Sequence, residues 1–222
     1  MKTLASIVVL LTLSSELSAA VPRTPFAAWD EVENPAALTN GLAMPPAFTA
    51  TAWFEAGSFA DFAPVLTYTT DISSWTNGFG IFTMADGSLA AYVRSIDDTA
   101  LIAEGLKANE PCHVALVYTG AAATLYVNGE PKSTTNFDAS ASLDCGGTLW
   151  TGASPGANAT SSFDGAFAGV RLYSSALDWQ ALASLYVSDK LAEKSASGRV
   201  RLCDFPEKFA RDRRLRFRGD PA

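Results

Sequence analysis

Apolar and polar residues alternate along residues 48–174 in short segments separated by turns. In FTATAWFE (48–55), for example, one face collects Phe48, Ala50, Ala52 and Phe54. The other segments of this kind are VLTYTT (65–70), GFGIFTM (78–84), SLAAYVR (88–94), CHVALVY (112–118), ATLYVNGE (123–130), GTLWTGA (147–153) and FAGVRLYS (167–174). Alternation over four to eight residues, with β-branched and aromatic side chains, predicts half-buried β-strands.

Turn residues join these segments into hairpins. Ala85-Asp86-Gly87 separates 78–84 from 88–94, and Asn128-Gly129 suits backbone with positive φ. No stretch with helical periodicity lies between the strands, which argues against βαβ units. The pattern predicts an all-β fold, an antiparallel β-sandwich.

The two flanks of this region follow other patterns. Leu177, Ala181 and Leu185 recur at helical spacing, and Asp178 can start a helix, so this segment predicts one short C-terminal helix that closes the domain. Residues 188–222 are Arg-rich and aperiodic, so we expect a basic tail that is disordered or folds with a partner. Residues 21–47 hold five prolines and predict a lead-in with one edge strand around 29–32.

The first 20 residues have the order of a signal peptide. Lys2 precedes the apolar run 4–13, and Ser18-Ala19-Ala20 places small residues before the expected cleavage point. No later stretch is long and apolar enough to predict a membrane-spanning helix. We therefore expect a secreted, periplasmic or cell-surface protein.

Charge is distributed unevenly along the chain. Residues 21–187 carry 16 acidic and 5 basic residues, a net charge of −11, whereas residues 188–222 carry 10 basic and 6 acidic residues, a net charge of +4. An acidic body repels nucleic acids and anionic membrane surfaces, so a nucleic-acid partner is not expected.

The chain contains three cysteines, so at most one disulfide can form within it and one thiol is left over. Cys112 and Cys145 both open predicted strands in the body, so they are the better pair for a disulfide, with Cys203 left over. Three unpaired thiols remain the alternative, because the sequence does not fix the distance between them.

The order of the motifs resembles the laminin-G-like family. More narrowly, residues 48–187 look like a LamG-like jelly roll, related to pentraxins and to concanavalin A-like lectins. The matching motifs are His113-Val114-Ala115, Tyr118-Thr119-Gly120, Leu125-Tyr126-Val127-Asn128-Gly129, Phe163-Asp164-Gly165, Val170-Arg171-Leu172-Tyr173 and Ser184-Leu185-Tyr186. The resemblance implies a concanavalin A-like jelly roll that binds a glycan or an extracellular protein.

The chain departs from the family pattern at two places, and the loss of an acidic pair is the one that affects the metal expectation. The family's Asp-Glu pair before Val170 is replaced by Ala168 and Gly169, and Cys112 stands where an aromatic residue usually precedes the histidine. Because calcium needs several oxygen ligands, we expect no calcium at this position and no other cofactor, although acids elsewhere could still form a site.

Catalytic chemistry finds little support in the sequence. His113 is the only histidine, so it is the only candidate base for a nucleophilic triad and cannot form a metal site with a second histidine. Asp30, Glu31 and Glu33 have the wrong spacing for the carboxylate pair of a jelly-roll glycosidase, and a solvated edge explains them better. We predict no catalytic residues.

Carbohydrate binding needs an aromatic plane and nearby groups that bind hydroxyls. The candidates are Asp71, Trp75, Asn77, Trp150 and Asn158. Trp75 in a polar loop is the most suggestive, against the alternative that it caps the sandwich edge. We expect a non-catalytic module that binds a glycan or an extracellular protein. The alternatives are a jelly-roll glycoside hydrolase or lyase, and an adhesive surface module. The sequence does not predict the oligomeric state.

Overall fold

The computed structural model describes residues 24–30, 32–70, 76–95, 99–138, 140–153 and 162–195. Within them the chain forms two six-stranded antiparallel sheets and one helix. Sheet A contains, in spatial order, β1 (Ala27–Trp29), β12 (Gly165–Tyr173), β3 (Phe48–Ala56), β8 (Pro111–Tyr118), β9 (Ala122–Val127) and β10 (Glu130–Asn136). Sheet B contains β2 (Ala36–Thr39), β11 (Thr148–Thr151), β4 (Ala63–Thr69), β5 (Thr76–Thr83), β6 (Leu89–Ser95) and β7 (Leu101–Ala103). The predicted antiparallel β-sandwich is confirmed.

The core lies between the two sheets and follows the predicted alternation. The face of β3 that begins with Phe48 and ends with Phe54 points into it, and both side chains are buried. At the Phe48 end of the sandwich, the Phe48 ring lies 5.4 Å from Phe79 and 5.7 Å from Tyr118. The Tyr118 hydroxyl donates to the carbonyl of Ala141 at 2.7 Å, so the buried phenol keeps a partner.

Helix α1 (Trp179–Ser195) covers the outer face of sheet A, as the sequence predicted for a closing helix. The carboxylate of Asp178 accepts the backbone N–H of Ala181 at 2.8 Å, which caps the first turn. A second apolar cluster forms beneath the helix, and it contains Ala115, Val117, Tyr126, Tyr173, Leu177, Ala181, Leu182 and Leu185. Strand β3 is therefore buried on both faces.

Several edge strands were missed by the sequence pattern. Asn128 and Gly129 have φ of 54° and 80°, and this two-residue turn joins β9 to β10, whose sequence EPKSTTN is polar. An edge strand with exposed faces carries little hydrophobic alternation. The Pro-rich segment likewise contributes β1 to sheet A and β2 to sheet B, where one strand around 29–32 was expected.

Cys112 and Cys145 are both free thiols, so the suggested disulfide between them is not formed. Cys112 is the second residue of β8, six residues from Tyr118, which corresponds to about 20 Å of strand. Cys145 lies at the Tyr118 end, where the neighbouring Asp144 accepts the Tyr68 hydroxyl at 3.0 Å. Burial raises the pKa of the Cys112 thiol to about 12, which keeps it protonated. Cys203 lies outside the described residues.

In the part of the chain that the structure describes, no helix combines the length and the apolar character needed to cross a membrane.

Candidate functional site

The predicted binding residues are only partly within the described structure. Asp71, Trp75 and Asn158 lie outside the described residues. Asn77 is exposed at the start of β5 in a left-handed conformation with φ of 56°. Trp150 is half-buried on β11. The structure therefore locates two of the five candidates.

The strand register separates these candidates rather than collecting them. Thr148 lies opposite Thr69, so the connection 71–75 leaves sheet B near the beginning of β11. Thr151, at the far end of β11, lies opposite Leu66, and residues 154–161 follow from that end. Trp150 lies in one row with Thr67 and Gly80, so Asn77 is two strands away from Trp150 and three residues further along β5, and the two do not form one cluster.

Trp150 belongs instead to a row of residues across the outer face of sheet B. The backbone pairs Trp150 with Thr67, Thr67 with Gly80, and Gly80 with Tyr92. At the usual spacing between strands, Trp150 and Tyr92 are about 14 Å apart along this row. The indole N–H of Trp150 is buried and has no hydrogen-bond partner within the described residues.

An aromatic patch occupies the same face beside Tyr92. We use this name for Phe62, Phe82, Tyr92 and Ile102. The Phe62 ring stacks on Tyr92 at 6.1 Å with an interplanar angle of 26°, and its centroid lies 6.0 Å from that of Phe82. Phe82 is fully buried, whereas Phe62 and Ile102 are 43% and 42% exposed. The patch thus offers apolar surface to solvent above a fixed ring.

Two backbone features build the patch. Phe62 has φ of 52°, and a bulky side chain in the left-handed region is a strained exception that the surrounding structure must hold in place. Gly80 lies under the Phe82 ring, where a Cβ would stand 2.5 Å from ring carbon Cε2. Only glycine therefore lets Phe82 lie across β5 and support Phe62 and Tyr92.

Replacement of Gly80 by alanine is expected to displace the Phe82 ring and to lower the free energy of unfolding by about 1–3 kcal/mol. Urea unfolding followed by tryptophan fluorescence measures the change. Gly169→Ala is the matched control, because the nearest atom to its Cβ would be the Trp29 carbonyl oxygen at 3.8 Å. Equal stability of the two variants would contradict this role of Gly80.

His113, the candidate base, lies on the opposite side of the sandwich beneath α1. It is 1% exposed, and its ring lies 5.1 Å from Trp53 and 6.0 Å from Tyr186. Burial, with a contribution from the Arg171 charge, lowers the pKa of His113 to about 3. This ring is enclosed by packing, and the lack of catalytic residues stays a prediction.

Metal-ligating side chains do not gather in the described ranges: no group of three or more His, Cys, Asp and Glu could hold a metal ion there. Ala168 falls in a register shift between Phe167 and Gly169 on β12, where the family resemblance placed acidic residues. The expectation that this position binds no calcium stays a prediction.

The residues of the aromatic patch were not among the binding residues predicted from the sequence, which favoured Trp75 in a polar loop. The alternation of side-chain direction along a strand nevertheless indicates which residues of β5 and β6 face outward. Phe79 and Ile81 point into the core, so Gly80 and Phe82 must point outward, and Tyr92 points outward by the same alternation. The exposure of Phe62 follows from its backbone conformation and carries no comparable signal.

Comparison with known proteins identifies the fold. The family model described as the concanavalin A-like lectin/glucanases superfamily matches residues 30–183. The chain belongs to this superfamily. The match confirms the jelly-roll resemblance inferred from the sequence motifs. A search of curated protein sequences found no match.

Solved structures of this concanavalin A-like fold include binding modules. A SAP-like pentraxin from Limulus polyphemus is 15% identical, with a TM-score of 0.57 over 70% of this chain and 76% of that one. The CBM40 of Ruminococcus gnavus IT-sialidase, bound to α2,3-sialyllactose, is 13% identical, with a TM-score of 0.59 over 73% and 99%. Domain 4 of the arabinanase AbnA from Geobacillus stearothermophilus, with arabinotriose, is 16% identical, with a TM-score of 0.59 over 72% and 80%. At these identities the similarity shows the fold alone.

Proposed function

We propose that this protein is an exported carbohydrate-binding module, secreted, periplasmic or at the cell surface, and that the aromatic patch on sheet B binds its glycan. The observation that carries the proposal is the exposed Phe62 ring, held in a left-handed conformation and stacked on Tyr92. Backbone strain of this kind persists where the surroundings over-determine it, and it is concentrated at ligand sites.

The chemistry of the patch suits a sugar. The C–H face of a pyranose packs on an aromatic plane, and neighbouring polar groups bind its hydroxyls. The Tyr92 hydroxyl has no hydrogen-bond partner within the described residues, so it is available to a ligand. Trp150 provides a second aromatic surface about 14 Å along the same row, which favours an oligosaccharide over a single sugar.

Charge favours a neutral glycan. Residues 21–187 carry a net charge of −11, and Asp61 precedes Phe62 directly. An acidic surface repels carboxylated or sulfated sugars. The structural neighbours with bound sialyllactose and arabinotriose support carbohydrate as the ligand class, and the charge on this chain favours the neutral members of that class.

The first test is binding of neutral oligosaccharides to the full chain and to Phe62→Ala. Loss of a central aromatic contact is expected to weaken binding by about tenfold or more. Isothermal titration calorimetry, guided by a glycan array and run with calcium and again with EDTA, measures the affinity. Phe26→Ala is the matched control, because Phe26 is also 42% exposed and lies outside the patch.

Each result has a defined meaning. Binding that survives EDTA and falls only in Phe62→Ala supports a calcium-independent site at the patch. Binding that EDTA abolishes contradicts the expectation that no calcium is used. If no sugar binds, the carbohydrate proposal fails, and an extracellular protein becomes the better candidate partner.

A further inference from the structure

A cleft separate from the aromatic patch opens at one end of the sandwich. It lies between the end of β3, the connection from β7 to β8, and the β9–β10 turn, and it encloses about 370 Å³. Its floor is apolar, because Phe54, Cys112 and Val127 line it and are buried. The Phe59 and Tyr186 rings line its sides, with Tyr186 contributed by α1.

Five charged residues line the same cleft, and four of them are paired. Lys107 lies 3.4 Å from Glu110, and Lys132 lies 2.7 Å from Glu130. Glu104 is exposed and makes no ion pair or hydrogen bond within the described residues. The cleft therefore has one carboxylate without a countercharge, beside an apolar floor and aromatic sides.

This combination selects a ligand by charge and shape. Both lysines already have a carboxylate partner, so an anionic ligand would have to displace a glutamate. A cation gains the unpaired charge of Glu104 and contact with the aromatic residues Phe59 and Tyr186, although one face of the Tyr186 ring is already stacked on Trp53. A guanidinium is the best match, because it is planar, stacks on aromatic faces and binds a carboxylate with two parallel N–H groups.

We propose that the cleft binds a guanidinium group on an apolar stem, the chemistry of an arginine side chain. The volume lies at the small end of the range for ligand pockets, which suits a single side chain better than a long ligand. The source is either a free arginine-like molecule or an arginine presented by a peptide. This inference is independent of the carbohydrate proposal, because the two sites share no residue.

The test titrates the full chain with Nα-acetyl-arginine amide and measures affinity by isothermal titration calorimetry or by NMR shifts. The citrulline analogue, which has the same shape and no charge, is expected to bind at least fivefold more weakly. Glu104→Gln is expected to weaken binding of the arginine ligand by a similar factor. Glu33→Gln is the control, because it makes the same charge change at an exposed glutamate outside the cleft.

A second arm uses the blocked peptide Gly-Gly-Arg-Gly-Gly. Equal binding of the peptide and the single residue supports an arginine presented by a peptide, whereas binding of the single residue alone supports a free ligand. Three results would overturn the proposal: no binding of either probe, equal binding of the citrulline analogue, or unchanged affinity in Glu104→Gln. The carbohydrate proposal is tested by a different variant, Phe62→Ala, and a different ligand. Failure of the arginine proposal therefore does not decide the carbohydrate proposal, and the reverse also holds.

Discussion

Acidification from pH 6.5 to 4.5 is expected to lower the free energy of unfolding by about 2–3 kcal/mol through His113. The ring is enclosed by Trp53 and Tyr186, and its Nδ1 atom has no hydrogen-bond partner within the described residues. The charged groups of α1 and β12 on this face include Asp189 and Arg171, which are paired at 3.1 Å. A protonated His113 would therefore be buried without a carboxylate of its own.

The direction of this effect follows from the two pKa values. The folded protein holds the pKa of His113 at about 3, whereas an unfolded histidine titrates near 6.5. Below pH 6.5 the unfolded chain binds a proton that the folded chain does not, so acid favours unfolding. The stabilisation is complete above pH 6.5 and is lost as the pH falls towards 3.

Urea unfolding at several pH values measures this dependence. His113→Phe is the matched variant, because it keeps an aromatic ring in the same place and cannot titrate. Its free energy of unfolding is expected to change little between pH 6.5 and 4.5, a range chosen because most carboxylates titrate below it. The same slope in both proteins would show that His113 does not cause the loss.

Trp53→Ala is expected to lower the free energy of unfolding by about 3–5 kcal/mol. Trp53 is 8% exposed and lies between sheet A and α1, where its ring stacks on Tyr186 at 5.6 Å and 13°. Its indole N–H donates to the Asp189 carboxylate at 3.0 Å. Removal leaves a cavity beneath the helix and also exposes His113, so the pH dependence described above should weaken in the same variant.

Trp53→Phe separates packing from hydrogen bonding. It keeps an aromatic ring against Tyr186 and loses the N–H donor, so a loss of about 1–2 kcal/mol is expected. Chemical unfolding and far-ultraviolet circular dichroism measure stability and helix content together. If Trp53→Ala were as stable as the wild-type protein, α1 would not depend on this contact.

Much of the sandwich could be predicted from local pattern. The alternation in FTATAWFE identified the core face of β3, and Asp178 marked the start of α1. Both predictions succeed because strand alternation and helix capping depend only on residues a few positions apart. Strands β2, β7 and β10 were missed, because they are three to seven residues long and lie at or next to the edges of their sheets. An edge strand is defined by its neighbour rather than by its own apolar residues.

The candidate site was less accessible to the same reasoning. Trp150 was identified as a candidate because of its residue type. The structure places it in one row with Tyr92, and this row exists only because of the register across four strands. Phe62 gave no signal, because its exposure depends on a left-handed backbone and on rings contributed by β5 and β6. The expected disulfide failed for a similar reason, since Cys112 and Cys145 lie at opposite ends of the sandwich.

The sequence by itself determined the strands that alternate, the turns that need glycine or asparagine, and the closing helix, because these depend on interactions between residues a few positions apart. It also determined the acidic charge of the body. Tertiary structure decided which outward-facing side chains meet: Phe62 on Tyr92, Glu104 beside an apolar cleft, and His113 beneath α1. These contacts join residues far apart in the chain, and their distances are set by sheet register and packing, which no local pattern encodes.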